Sequence, residues 1–91
     1  MQVIEETKEG SFLVWCPGCK TLHEFDKRWT FDGNHTAPTF NPSLLVRGHL
    51  RDGTVFGTCH SFVREGRWQF LGDSTHELAG KTVDMVDVNG P

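Results

Sequence analysis

The stretch Cys16-Pro-Gly-Cys19, with His23 four residues further on, sets two thiols and an imidazole where a metal ion or a redox couple could use them. A Cys-x-x-Cys turn aims two sulfurs at one point, and its backbone N–H groups can hydrogen-bond them, which suits a tetrahedral ion. Closure takes two more ligands. Cys59, the only other cysteine in the chain, is the natural third. His76, His23 and His60 compete for the fourth place, and the sequence ranks them in that order. A thioredoxin-like couple would open a helix within a βαβ unit, and no helical pattern follows Cys19. Without a second thiolate pair to favour iron, the expected cofactor is Zn2+, held by Cys16, Cys19, Cys59 and His76.

A second group of residues could also do chemistry. Thr39, Asn41, Ser43, His60, Ser61, Asp73, Thr75, His76 and Glu77 crowd hydrogen-bonding side chains into two segments. Many would support ligands or cap turns. If a zinc ion kept an open position, Glu77, Asp73 or His60 could serve as base toward its water. Two or three thiolates weigh against that, since the charge they donate leaves such a water less acidic. A nucleoside-deaminase site is the exception, but its His-x-Glu followed by Cys-x-x-Cys order is missing here.

The elements that must position these groups read as short strands. Residues 11–16 (SFLVWC) and 20–25 (KTLHEF) form a hairpin across Pro17 and Gly18. Asp32-Gly33-Asn34 and Asp52-Gly53 mark turns, and Pro38 and Pro42 bracket TFN before the apolar run 43–46. The clearest hairpin turns at Glu65-Gly66. It pairs Arg64 with Arg67, Val63 with Trp68, Phe62 with Gln69, Ser61 with Phe70, His60 with Leu71 and Cys59 with Gly72. Alternation then sets Cys59, Ser61 and Val63 on the face of Trp68 and Phe70, with His60 and Phe62 pointing the opposite way. This places Cys59 at the open end of the hairpin, near His76. Ser74 and Glu77 have the form of a capping box, which predicts a very short helix near 74–79 ended by Gly80. Residues 81–88 (KTVDMVDV) alternate as a last strand.

Composition sets the outer bounds. A chain of 91 residues predicts one domain, 1–91, with a thin core. An apolar fraction of 36%, ten glycines, seven Phe and three Trp predict a soluble, loop-rich domain with aromatic packing. No apolar run approaches the roughly 20 residues needed to span a bilayer, and the first ten residues lack the layout of a signal peptide. An odd number of cysteines then points to reduced thiols in the cytoplasm. A net charge of −3 with dispersed Lys and Arg disfavours nucleic acid as partner, although Arg47, Arg51, Arg64 and Arg67 could meet in space.

In combination, CPGC with LH, then PTFNPSLLV, then CHSFVREGRWQFLGDSTHELAGKTV resemble a family of small phage, prophage and bacterial proteins, often labelled ammonia monooxygenase. The likeness covers roughly residues 13–84. It implies a zinc-binding, β-rich fold and phage origin, with host cytoplasm or the virion as the place of action, and brings no activity with it.

Together these readings predict a mostly β fold: a small zinc-stabilised antiparallel sheet of hairpins with one short helix. The expected function is that of an accessory protein acting through a protein partner, with zinc structural and open sheet edges that would allow a homodimer. The alternatives are a zinc-dependent hydrolase or deaminase-like enzyme, and a zinc-ribbon-like nucleic-acid module.

Overall fold

The computed structural model describes residues 1–53 and 55–90. The chain forms two antiparallel sheets. The first has the order β1-β2-β3, built from Ile4–Glu6, Phe12–Cys16 and Thr21–Phe25. The second has the order β4-β5-β6-β7-β8, from Thr30–Phe31, Phe40–His49, Val55–Arg64, Arg67–Phe70 and Thr82–Asp84. Strand β1 has no counterpart among the elements predicted from sequence. The expected β class holds.

Period-two alternation is the reason these segments are strands. In β2, Val14 and Cys16 are buried while their neighbours are only half-buried, and in β3 His23 and Phe25 alternate with exposed residues. The β2–β3 register pairs Val14 with His23 and Cys16 with Thr21. In the second sheet Cys59, Ser61, Val63, Trp68 and Phe70 turn inward as alternation requires. The two inner faces meet in one core, where Phe25 of β3 stacks on Phe40 of β5 with ring centroids 4.2 Å apart. Trp68 is buried and stacks on Phe70 at 5.4 Å. No Trp is exposed, so the tryptophans go chiefly to packing.

The hairpin β6–β7 has the predicted register from Ser61↔Phe70 to Arg64↔Arg67. Glu65 and Gly66 take positive φ values of 51° and 77°, the signature of a type I′ turn. The amide of Leu71 donates to the carbonyl of His60 at 2.8 Å, which extends the pairing by one more position. There the pattern departs from expectation. Cys59 has no ladder partner at Gly72, because the chain turns at 72–73 and brings Thr75 beside Thr58 instead.

The short helix expected near 74–79 does not form. Among the described residues there is no helix, and this segment is a run of turns closed by Ala79 N–H to His76 C=O at 3.2 Å and Lys81 N–H to Leu78 C=O at 3.0 Å. The capping box fails for a physical reason: the Ser74 hydroxyl that would cap the helix is spent on the backbone of His60, and the Ser74 amide donates to Leu71. Tertiary hydrogen bonds outcompete one turn of helix, which is marginal by itself. The last strand is also shorter than the 81–88 alternation suggests, although Met85 and Val88 beyond it are buried.

Strand β5 carries the main irregularity. Its register against β6 jumps from Phe40↔Val63 to Leu44↔Ser61, so residues 41–43 bulge out of the ladder. Pro42, which has no N–H to give, lies in that bulge.

The turn residues give a direct test. Glu65→Asn relieves a left-handed Glu and should raise stability by about 0.5–1 kcal/mol in urea unfolding. Gly66→Ala should lower it by about 1–3 kcal/mol, because a Cβ there would meet Ala37 Cα at 2.9 Å at a φ of 77°.

Candidate functional site: a thiol-rich metal centre beside a serine triad

The turn between β2 and β3 supplies two of the thiols. Its backbone closes with Lys20 N–H to Cys16 C=O at 2.8 Å, while the Cys19 amide reaches the Cys16 sulfur at 3.3 Å. Cys59 arrives from the inner face of β6 with its sulfur 3.9 Å from that of Cys16. His76 comes from the β7–β8 connection. The ligand atoms of Cys16, Cys19, Cys59 and His76 all lie within 4.8 Å of one another, so the four could hold a metal ion. A tetrahedral site with Zn–S bonds of about 2.3 Å would set its sulfurs roughly 3.8 Å apart.

The seat of His76 is tightly made. Its ring stands edge-on to Phe70 at 4.6 Å, and Nε2 is buried without a hydrogen-bond partner. Gly18 leaves the room: a Cβ at that position would fall 2.3–2.5 Å from three atoms of the ring. The Leu78 amide approaches Nδ1 at 3.2 Å, a contact that would yield if Nε2 took a metal and the ring proton moved to Nδ1. Of the competing histidines, His23 is buried near Cys16 and edge-on to Trp68, and stands outside the four-residue group. His60 points to the other face of β6, as alternation predicts.

The three thiols share their protons unequally. Cys16 is held down at about 4, chiefly by the hydrogen bond from Cys59 and further by His23, against the opposing effect of burial. Burial, then the charge on Cys16, pushes Cys19 up to about 11. Cys59 is raised by its hydrogen bond to Cys16 and by burial. The cluster therefore favours a thiolate on Cys16 over one on Cys19 or Cys59.

On the opposite face of β6 lies an arrangement that the sequence reading did not assemble. His60 Nδ1 faces the Asp73 carboxylate at 3.0 and 3.2 Å, and His60 Nε2 faces the Ser43 hydroxyl at 3.3 Å. A carboxylate only accepts, so Nδ1 carries the proton and Nε2 presents its lone pair to the Ser43 O–H. The bulge at 41–43 brings Ser43 onto the face of His60, and the Trp29 indole N–H fixes the Ser43 carbonyl at 3.2 Å. His60 is 27% exposed at its side chain, which leaves the group open to a substrate. All three residues stood among the polar side chains noted from sequence. Their separations of 17 and 13 positions carry no local signature. The usable signal was that His60, one residue from Cys59, must face away from the metal.

Two of the remaining polar residues, Thr39 and Thr75, serve the backbone. Thr39 Oγ1 accepts the Glu65 amide at 2.9 Å, and Thr75 binds the backbone of Thr58. Of the four arginines that could have met, Arg64 and Arg67 are cross-strand partners, and Arg67 pairs with Asp84 at 3.2 Å.

A family model, Bacterial ubiquitination-like system serine protease (BubE), matches residues 1–71. That stretch holds Ser43, His60 and the three cysteines, while Asp73 and His76 fall just past its end. The chain belongs to this family. The family is bacterial by its description, which speaks of neither phage nor zinc. No curated protein and no solved structure matches the chain.

Two measurements test the metal centre. Metal uptake at pH 7 should release about two protons from the thiols, since Cys19 and Cys59 are held protonated and Cys16 is not. Titration calorimetry in buffers of different ionisation enthalpy reads this number. Gly18→Ala should displace the His76 ring and weaken metal binding about tenfold or more, read by competition with a chromophoric chelator.

Proposed function

We propose that this member of the BubE family is a serine peptidase whose nucleophile is Ser43, whose general base is His60 and whose orienting acid is Asp73. The contact chain of Ser43 to His60 to Asp73, at 3.3 and 3.0 Å, carries the reading. It has the geometry and polarity of a Ser-His-Asp triad, a constellation recognised by roles rather than by order in the chain. The description of the family as a serine protease supports it independently.

In this mechanism Ser43 Oγ attacks the carbonyl carbon of the scissile bond while His60 Nε2 takes the hydroxyl proton. Asp73, on Nδ1, holds the productive tautomer and stabilises the imidazolium. His60 returns the proton to the departing amine, which breaks the C–N bond and leaves an acyl group on Ser43. A water activated by His60 then cleaves that ester. The partner such a site requires is a polypeptide substrate, and the family's description as part of a bacterial ubiquitination-like system supports work in the cytoplasm.

The metal takes a structural part. Cys16, Cys19, Cys59 and His76 would hold a zinc ion with four protein ligands, which would leave no position for a catalytic water. The ion would tie the β2–β3 turn to β6 and to the β7–β8 connection. A zinc hydrolase is disfavoured on the same ground, and His60, which contacts both Ser43 and Asp73, lies on the face away from the thiols.

A fluorophosphonate probe tests the assignment, since Ser43 Oγ would displace fluoride from phosphorus and remain covalently tagged. Tryptic mass spectrometry should locate the label on Ser43. Ser43→Ala should abolish it, and Asp73→Asn should slow it by about 10⁴-fold through the wrong tautomer. Labelling elsewhere, or undiminished in His60→Ala, would sink the triad.

A further inference from the structure

The triad and the metal centre share two short segments of chain. Residues 58–60 of β6 carry Cys59 inward and His60 outward, and residues 73–76 carry Asp73 outward and His76 inward. Between them runs a set of side-chain ties. Ser74 Oγ accepts the His60 amide at 3.0 Å and donates to the His60 carbonyl at 3.0 Å. Thr75 repeats the pattern one step on. Its Oγ1 accepts the Thr58 amide at 2.9 Å and lies 3.2 Å from the Thr58 carbonyl, which also receives the Thr75 amide at 2.9 Å. Beyond the end of β7, these two hydroxyls stand in for the missing strand.

Building on the serine-peptidase reading, we infer that Ser74 and the metal bound by Cys59 and His76 act together as the positioning device of the triad, and that metal loss releases Asp73 from His60. Asp73 does not hold its place unaided. Its side chain is 59% exposed, and an exposed pair of this kind contributes little by itself. What fixes it is its neighbour Ser74, anchored on both backbone groups of His60, and the half-buried imidazole of His76 three residues on. Without a metal, the orphaned Nε2 of His76 is a buried polar group with no partner, which favours lifting the segment out to water. Asp73, Ser74 and Thr75 would travel with it. A displacement of about 1 Å in such a constellation can cost about 100-fold in rate.

The experiment follows two readouts in metal-loaded protein, chelated protein and the Ser74→Ala and Ser74→Thr variants. One is the rate of Ser43 labelling by the fluorophosphonate probe. The other is the downfield NMR resonance of the His60 Nδ1 proton, which reports the Asp73 hydrogen bond directly. Chelation should erase the resonance and slow labelling by about 10- to 100-fold, both restored by adding zinc. Ser74→Ala should do the same while keeping one metal per chain, and Ser74→Thr should recover most of the rate. If chelated protein keeps both the resonance and the rate, or if Ser74→Ala matches wild type, the coupling is wrong. Should chelation unfold the chain, Ser74→Ala in loaded protein decides alone. Should loaded wild type show no label at Ser43, the peptidase reading fails, and the resonance still decides whether metal positions Asp73.

Discussion

The convergence of Cys16, Cys19, Cys59 and His76 is the constraint on which the rest of the structure depends. A chain of 91 residues leaves a large part of its surface in water even when folded, and its core cannot be deep. The four residues come from a turn of the first sheet, a central strand of the second and the connection leading to its edge. Their ligand atoms lie within 4.8 Å of one another, which sets these three segments side by side. Around that point Val14, Trp68 and Phe70 complete the packing, and Gly18 gives up its side chain so that His76 can enter.

The pleat of β6 then divides the labour. Successive side chains of a strand face opposite ways, so Cys59 is committed to the interior and His60 to the surface by one and the same geometry. Cys59 thereby joins the thiol cluster inside, while His60 keeps part of its side chain open to solvent, within two residues of one strand. The neighbouring connection mirrors the arrangement, with His76 turned in and Asp73 turned out.

Ser43 reaches this outer face by a different device. Residues 41–43 leave the ladder between Phe40 and Leu44, which uncouples the direction of Ser43 from that of a regular strand. The flanking chain is held firmly all the same: Phe40 is buried in the aromatic stack, Leu44 is buried beside it, and Trp29 grips the Ser43 carbonyl. The local irregularity is thus fixed on both sides by the core, which holds Ser43 in place on an otherwise exposed segment.

Much of this was written in local sequence. The Cys-x-x-Cys turn, the Glu65-Gly66 hairpin with its register, and the opposite faces of Cys59 and His60 follow from period and turn chemistry, which act over a few residues. Local sequence also misled. Ser74 and Glu77 form a capping pattern, yet Ser74 turns to the His60 backbone because the tertiary contact satisfies two groups where an isolated turn of helix is marginal. The grouping of Ser43, His60 and Asp73 was hidden altogether. Ser43, His60 and Asp73 belong to a bulge, a strand and a turn that meet only when the sheet has formed and the chain reverses after Phe70. By itself, then, the sequence determined the Cys-x-x-Cys turn, the β6–β7 hairpin and the opposite faces of Cys59 and His60, because alternation and turn geometry are set by near neighbours. Only the tertiary structure decided which outward-facing polar groups touch, because contacts across 13 and 17 positions depend on strand register and on a bulge that no nearest-neighbour rule foretells.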